Sequence, residues 1–179
     1  MYRICLTGHR PKDLTAYMAG ANPYNYSNVF WRSARHVFDR LIANSLAQHP
    51  EGLELHSGLA LGADTVWAQA IIAARSQFGA DRIRFVADVP LMTQASHWTQ
   101  AGQQLWQQLV DAADRVDVTS DGPYQPRVME LRNQQMIFPS DVCIAFWNGK
   151  DHGGTFNGVM DAASHHVPII WVDPRRLWF

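Results

Sequence analysis

A chain of 179 residues, 47% of them apolar and 17% charged, is long enough for one domain with a full core and too short for two. That balance excludes a disordered chain. A formal net charge of −1 excludes a strong overall pull toward nucleic acid or an anionic membrane, and leaves only a local basic patch open.

In chain order, Arg3–Thr7 reads as a short buried strand, and residues 9–25, with Pro11, Gly20 and Pro23, as a long loop. Loops of that length in compact domains are often functional. Ser27 is placed to cap a helix over Asn28–Ala47, whose Phe30, Ala34, Val37, Phe38, Leu41 and Ile42 recur at helical spacing. Leu53–His56 is a second strand. A turn at Ser57–Gly62 leads into a helix over Ala63–Phe78, closed by Gly79. Arg82–Val89 is a third strand, Gln94–Ala113 a helix, Arg115–Thr119 a short strand and Arg127–Ile137 a helix. Val142–Trp147 is a strong strand, Thr155–His166 a helix and Pro168–Val172 the last strand. Strands alternating with helices predict an α/β fold: a single Rossmann-like domain over 1–179, with a mostly parallel sheet flanked by helices. Trp178 and Phe179 end the chain as an aromatic tail that either packs back on the domain or meets another subunit.

Cys5 and Cys143 fall inside predicted strands, which suits buried reduced thiols better than a metal or redox pair. Met1-Tyr2-Arg3 leads straight into the first strand, so a cytoplasmic protein without a leader is the expectation. No apolar run approaches the ~20 residues that span a bilayer.

Three glycine-containing strings carry the chemistry. Each follows an apolar run that reads as a strand, and the last two precede predicted helices. Such turns point backbone N–H groups at an anion beside a positive helix end. Several on one edge of a parallel sheet make a nucleotide-sized crevice. In Ser57–Asp64, Gly58 and Gly62 allow close backbone approach, Ser57 offers a hydroxyl, and Asp64 either compensates the helix dipole or touches the ligand. In His152-Gly153-Gly154-Thr155, paired glycines open a helix and Thr155 either caps it or binds an oxygen. In Thr7-Gly8-His9-Arg10-Pro11, Arg10 can fork onto a phosphate and His9 can donate or accept near neutral pH. Arg132 and Asn133 lie on a helix at the edge of its apolar face, where Arg132 either meets solvent or reaches the crevice. Asn148 and Asn157 are candidates for a ribose or base. No Walker string and no GxGxxG occurs, and the eight histidines show no metal-ligand spacing, so no metal and no cofactor is expected.

Taken together, TGHRP, SGLALGAD, Val89–Leu91, Arg132-Asn133, Ser140-Asp141, Trp147–Gly149 and GGT resemble, in order and from Thr7 to Pro174, the YpsA-like family of the SMF/DprA–LOG (SLOG) superfamily. The resemblance implies a Rossmann-like domain for nucleotides or nucleotide-derived ligands. Some branches are phosphoribohydrolases, and the DprA branch binds single-stranded DNA. The phosphoribohydrolase string PGGxGTxxE places a carboxylate where this chain has Gly158, preceded by Asn157. Phosphate binding therefore carries over to Gly153, Gly154 and Thr155, and the hydrolytic carboxylate does not; Asp64, Asp141 or Asp161 could substitute, and nothing in the spacing selects one. The expected function is binding of a nucleotide-like small molecule, as a sensor or sequestering protein. The alternatives are an N-glycosidic nucleoside-phosphate hydrolase or, third, a single-stranded DNA binder. A homodimer is expected, with nucleic acid and membrane disfavoured as partners.

Overall fold

The computed structural model describes residues 1–177. Trp178 and Phe179, and with them the expected tail contact, lie outside the described residues. Six strands, β1 (Tyr2–Gly8), β2 (Leu53–Ser57), β3 (Ile83–Val89), β4 (Arg115–Val118), β5 (Val142–Phe146) and β6 (Ile169–Val172), form one sheet in the order β4-β3-β2-β1-β5-β6. All five pairings are parallel. Five helices connect them: α1 (Val29–Gln48), α2 (Ala63–Phe78), α3 (Gln100–Asp111), α4 (Pro126–Ile137) and α5 (Gly154–Ser164). No helix among the described residues is long and apolar enough to cross a membrane.

Strand alternation sorts the core into two layers. Ile4 and Leu6 of β1, with Leu53 and Leu55 of β2, join the large cluster built with Phe30, Trp31 and Phe38 of α1 and Val66, Trp67 and Ile71 of α2. Cys5 points the other way, into a small cluster with Cys143, Met136, Ile137, Ala162 and Val167 under α4 and α5. Cys5 and Cys143 are register partners, buried and free. Burial comes first among the causes that raise the Cys5 thiol well above its ordinary value, so it stays a thiol.

Most predicted boundaries shift by a residue or two, and three differences have a clear local cause. The cap of α1 is Asn28, not Ser27, because the Asn28 side chain accepts the Trp31 N–H at 2.9 Å. The helix expected from Gln94 starts at Gln100. Thr99 is extended (ψ 157°) and its hydroxyl accepts the Gly102 N–H at 3.2 Å, so residues 91–98 form turns instead. The helix expected to run to His166 ends at Ser164. His165 stacks on Phe138 at 3.4 Å, and His166 takes a left-handed φ of 57° that no helix continues.

The polar face of β2 carries a network that the sequence did not announce. His56 bridges Asp88 (Nδ1 to Oδ2, 2.9 Å) and Glu54 (Nε2 to Oε1, 3.2 Å), all three buried. Arg3 and Arg84 from the neighbouring strands β1 and β3, and Arg115 from β4 beyond β3, close on Glu54 at 3.0, 3.3 and 3.7 Å. Burial alone would lower the His56 pKa, but the bonds and charges of Asp88 and Glu54 outweigh it and raise it. Burial likewise pushes Glu54 up, and His56, Arg3 and Arg115 outweigh that and hold it low. Both shifts favour the charged forms of the pair.

Candidate functional site

Strand order reverses between β1 and β5: from β1, α1 crosses toward β2, whereas α5 crosses from β5 toward β6. The loops leaving two such strands diverge and open a crevice at their carboxyl ends. A cleft of about 360 Å³ lies there. The end of β1 contributes Thr7, Gly8, His9 and Arg10, and the following turn Lys12 and Asp13. The β2–α2 turn contributes Ala60 and Asp64, and α4 contributes Met129, Arg132, Asn133 and Met136. The β5–α5 loop supplies Lys150, His152, Gly153, Gly154 and Thr155.

Of the residues expected from sequence, Gly8, His9, Arg10, Asp64, Arg132, Asn133, Gly153, Gly154 and Thr155 line this cleft. Ser57, Gly58, Gly62, Asn148 and Asn157 are not part of its wall, and each has a structural reason. The Ser57 hydroxyl donates to Asp64 O at 2.9 Å and accepts the Leu59 N–H at 3.3 Å, which fastens the turn to α2. A Cβ on Gly58 would collide with the Arg132 guanidinium, so this glycine lets Arg132 lie flat on the backbone. Gly62 has φ 104°, and a Cβ there would sit 2.6 Å from His9 O, where the loop after β1 crosses the start of α2. Asn148 spends its side chain on His9 Nε2 (2.7 Å), Lys150 N–H (3.1 Å) and the Tyr17 hydroxyl (3.1 Å). Asn157 is exposed on α5, its N–H bound to Gly153 O at 3.0 Å.

The helix ends are not equivalent. At α2 the Ala63 N–H donates to His9 O (3.2 Å) and the Gly62 N–H to the Tyr26 hydroxyl (2.9 Å), and Asp64 stands in the first turn. That end is closed to an anion. At α5 no side chain caps the helix, and the N–H groups of Gly154, Thr155 and Phe156 precede the first intrahelical donor, Asn157. A Cβ on Gly153 or Gly154 meets nothing within 4 Å. That end is open and carries the partial positive charge of the helix.

Arg132 is the second half of the site. It is 5% exposed, yet its Nε and Nη1 have no hydrogen-bond partner. Its nearest carboxylate, Asp64 Oδ2, is 3.6 Å from Nη1. A buried guanidinium with idle N–H groups costs about 1–3 kcal/mol per unmet donor, which an anion would offset. His9 is 3% exposed; burial, ahead of the opposing Asn148 bond, lowers its pKa, so it is neutral at neutral pH. Its Nε2 lies 2.7 Å from Asn148 Oδ1 and 3.3 Å from the Asn148 backbone nitrogen. Lys150 pairs with Asp13 at 3.4 Å across the mouth, beside exposed Arg10 and Lys12. Lys12, Asp13 and Lys150 escaped the sequence reading. Nothing in a linear pattern signals that Lys150, after β5, faces Asp13, after β1. Among the described residues, no group of three or more His, Cys, Asp or Glu side chains is placed to hold a metal ion.

A relative from Halalkalibacterium halodurans, UPF0398 protein BH1768, is 27% identical over 148 residues, which cover 81% of this chain and 71% of the relative. Among solved structures, DNA processing protein A (DprA) from Streptococcus pneumoniae superposes with a TM-score of 0.61 at 17% identity, over 96% of this chain and half of that one. The Helicobacter pylori DprA, whose single-stranded DNA binding mode has been described structurally, gives 0.56 at 18% over 95% and 64%. A protein designated TM1055 gives 0.55 at 15% over 94% and 72%. At these identities the likeness is one of fold, and the chain spans half to two-thirds of the DprA chains. The model of the YspA SLOG family matches residues 4–169, nearly the whole chain. The chain belongs to the YspA SLOG family.

Proposed function

We propose that the cleft binds the phosphate of a nucleotide or nucleotide-derived small molecule, and that the protein senses or sequesters that molecule. The observation that carries this reading is Arg132, buried with Nε and Nη1 unpartnered in the same cleft as the uncapped end of α5. A forked cation and a set of free helix N–H groups are the usual partners of a phosphate. About 360 Å³ is at the lower end of small-molecule clefts and suits a mononucleotide rather than a polymer. Gly8, His9, Arg10 and Asn133 line the remaining wall, within reach of the rest of such a ligand.

The hydrolase alternative lacks its carboxylate. A Cβ at Gly158 would stand 2.6 Å from Thr7 Oγ1, so an acidic side chain there would have to displace the Thr7 side chain. Single-stranded DNA competes as a ligand in the same assay, and strong salt dependence is its signature. The test is thermal stabilisation by a panel of nucleoside mono-, di- and triphosphates. A ligand at 100 times its dissociation constant adds about 2.7 kcal/mol. Gly154→Val is the clean blocking variant, because its Cβ meets open space and its backbone is helical. Gly153 has φ 95° and is strained by any side chain. No stabilisation across the panel, or equal stabilisation of Gly154→Val, overturns the reading.

The homodimer is part of the same proposal. Edge strand β4 is charged, with Arg115 paired to Asp117, whereas edge strand β6 exposes Ile169, Ile170 and Trp171. An apolar, unprotected edge is the one that pairs with another chain.

A further inference from the structure

A carboxylate is an unfavourable neighbour for a bound phosphate. Asp64 is buried in the first turn of α2 and lines the same cleft as Arg132, whose Nε and Nη1 are buried without a hydrogen-bond partner. Its Oδ2 stands 3.6 Å from Arg132 Nη1, beyond hydrogen-bond reach, and accepts a long 3.4 Å bond from the Ala60 N–H. The charged and titratable groups that face it are Arg132 from α4 and Arg10 and Tyr26 from the loop between β1 and α1.

We propose that Asp64 is a proton-linked gate: its carboxylate holds the Arg132 guanidinium while the cleft is empty, and takes up a proton from solvent when a phosphate dianion claims that guanidinium. This rests on the phosphate reading of the cleft. The charge balance argues for it. In the empty cleft one buried cation, Arg132, faces one anion, with Arg10 exposed beyond them. With a dianion bound, two anions share one buried guanidinium, and like charges in a confined site drive the more basic oxygen to protonate. Arg10 and Lys12 are exposed and screened by water, and Lys150 is already paired with Asp13, so none replaces the missing charge at the buried end. Burial pushes the Asp64 carboxyl above the ordinary aspartate range even before a ligand arrives, with Arg132, Ala60 N–H and Arg10 pulling it back in part. No covalent bond forms or breaks; one proton moves from solvent to an Asp64 oxygen. The protonated carboxyl then has an O–H to donate to the phosphate it formerly opposed.

Calorimetry of adenosine 5′-monophosphate binding to the full chain at pH 7, in buffers of different ionisation enthalpy, counts the protons. A phosphate monoester is mostly dianionic there, since its second pKa is about 6. Sulfate, which has no proton to gain or lose near neutrality, is the second probe. The expected result is uptake of roughly 0.5–1 proton per site with either probe, and none in Asp64→Asn, which binds more tightly than wild type at pH 8. The Asp64 carboxyl carbon resonance of the wild-type chain reads the same event without a variant, moving to its protonated position on saturation. Binding with no proton uptake, or equal uptake in Asp64→Asn, overturns this inference alone. No binding of either probe overturns the phosphate reading and this inference with it.

Discussion

Replacing Arg132 by Met separates the two roles an arginine can have in a buried site. Met keeps an unbranched chain of similar length and removes the guanidinium. The free protein gains by losing two buried, unmet donors, Nε and Nη1. It loses the 3.6 Å attraction to Asp64, whose carboxyl escapes an unpaired charge by protonating. Exchanging a buried ion for an apolar side chain is often neutral or stabilising. We therefore expect the stability of the free chain to change by less than about 2 kcal/mol, a shift within some 4–8 °C in Tm for a chain of this size. Phosphate binding behaves differently. A charge-assisted hydrogen bond contributes about 1.5–3 kcal/mol, so losing one alone weakens affinity about 10- to 150-fold. Arg132→Lys restores the charge without the fork and recovers only part of the loss. The assay is titration calorimetry with the tightest nucleotide from the panel, beside thermal melts without ligand. Unchanged affinity in Arg132→Met refutes the reasoning. So does a loss of 3–5 kcal/mol in the free protein, about the cost of breaking a structural buried ion pair.

Three further outcomes are expected. Arg10, exposed at the cleft wall, is silent for stability on change to Ala, within about 0.5 kcal/mol; nucleotide affinity falls in Arg10→Ala and only partly returns in Arg10→Lys, and equal calorimetric affinities in all three proteins remove Arg10 from the site. The raised pKa of His56 stabilises the fold fully below its unfolded value of about 6.5, and that contribution is lost as pH rises through the folded value; urea unfolding from pH 5 to 9 shows this fall in wild type and not in His56→Gln, which loses about 1–3 kcal/mol at pH 6, and identical pH slopes in the two proteins count against the ionised network. Ile170→Lys at the β6 edge shifts the molar mass from light scattering from dimer to monomer, and a wild-type chain that is monomeric at all concentrations removes the dimer.

Elements were legible where a local signal coincided with the structural cause. Helix α2 runs over the range read from sequence because Gly62 and Gly79 both take positive φ and bracket it. Helical period alone extends α3 back past Trp98, which fits it, whereas Thr99 takes the cap geometry that decides the start. The parallel sheet followed from alternation of element types, but the reversal of strand order between β1 and β5 did not, and that reversal puts the cleft where it is. The Glu54–His56–Asp88 network was invisible for the same reason: Glu54 and His56 share β2, but Asp88 comes from β3, and no single-chain pattern reports the register between the two strands.

The three glycine strings looked alike in sequence and are not alike in the fold. A glycine removes a side chain, and the consequence depends on what moves into the space. At Gly58 the occupant is the Arg132 side chain, at Gly62 the crossing loop of His9 and Arg10, and at Gly8 the Ala63 methyl group of α2. In those places the missing Cβ is filled by protein, which rigidifies the wall of the cleft. At Gly153 and Gly154 nothing fills it, and the N–H groups that follow have no partner. Gly58 and Gly154 thus serve one site from opposite directions. Gly58 lets a cation lie buried against the backbone with two donors unspent, and Gly154 leaves a helix end bare. On the proposed reading a phosphate meets both needs at once, whereas a neutral ligand leaves Arg132 with only the 3.6 Å approach of Asp64. On that phosphate reading, the charge of the ligand is therefore what the cleft would select most strongly, ahead of the identity of the base.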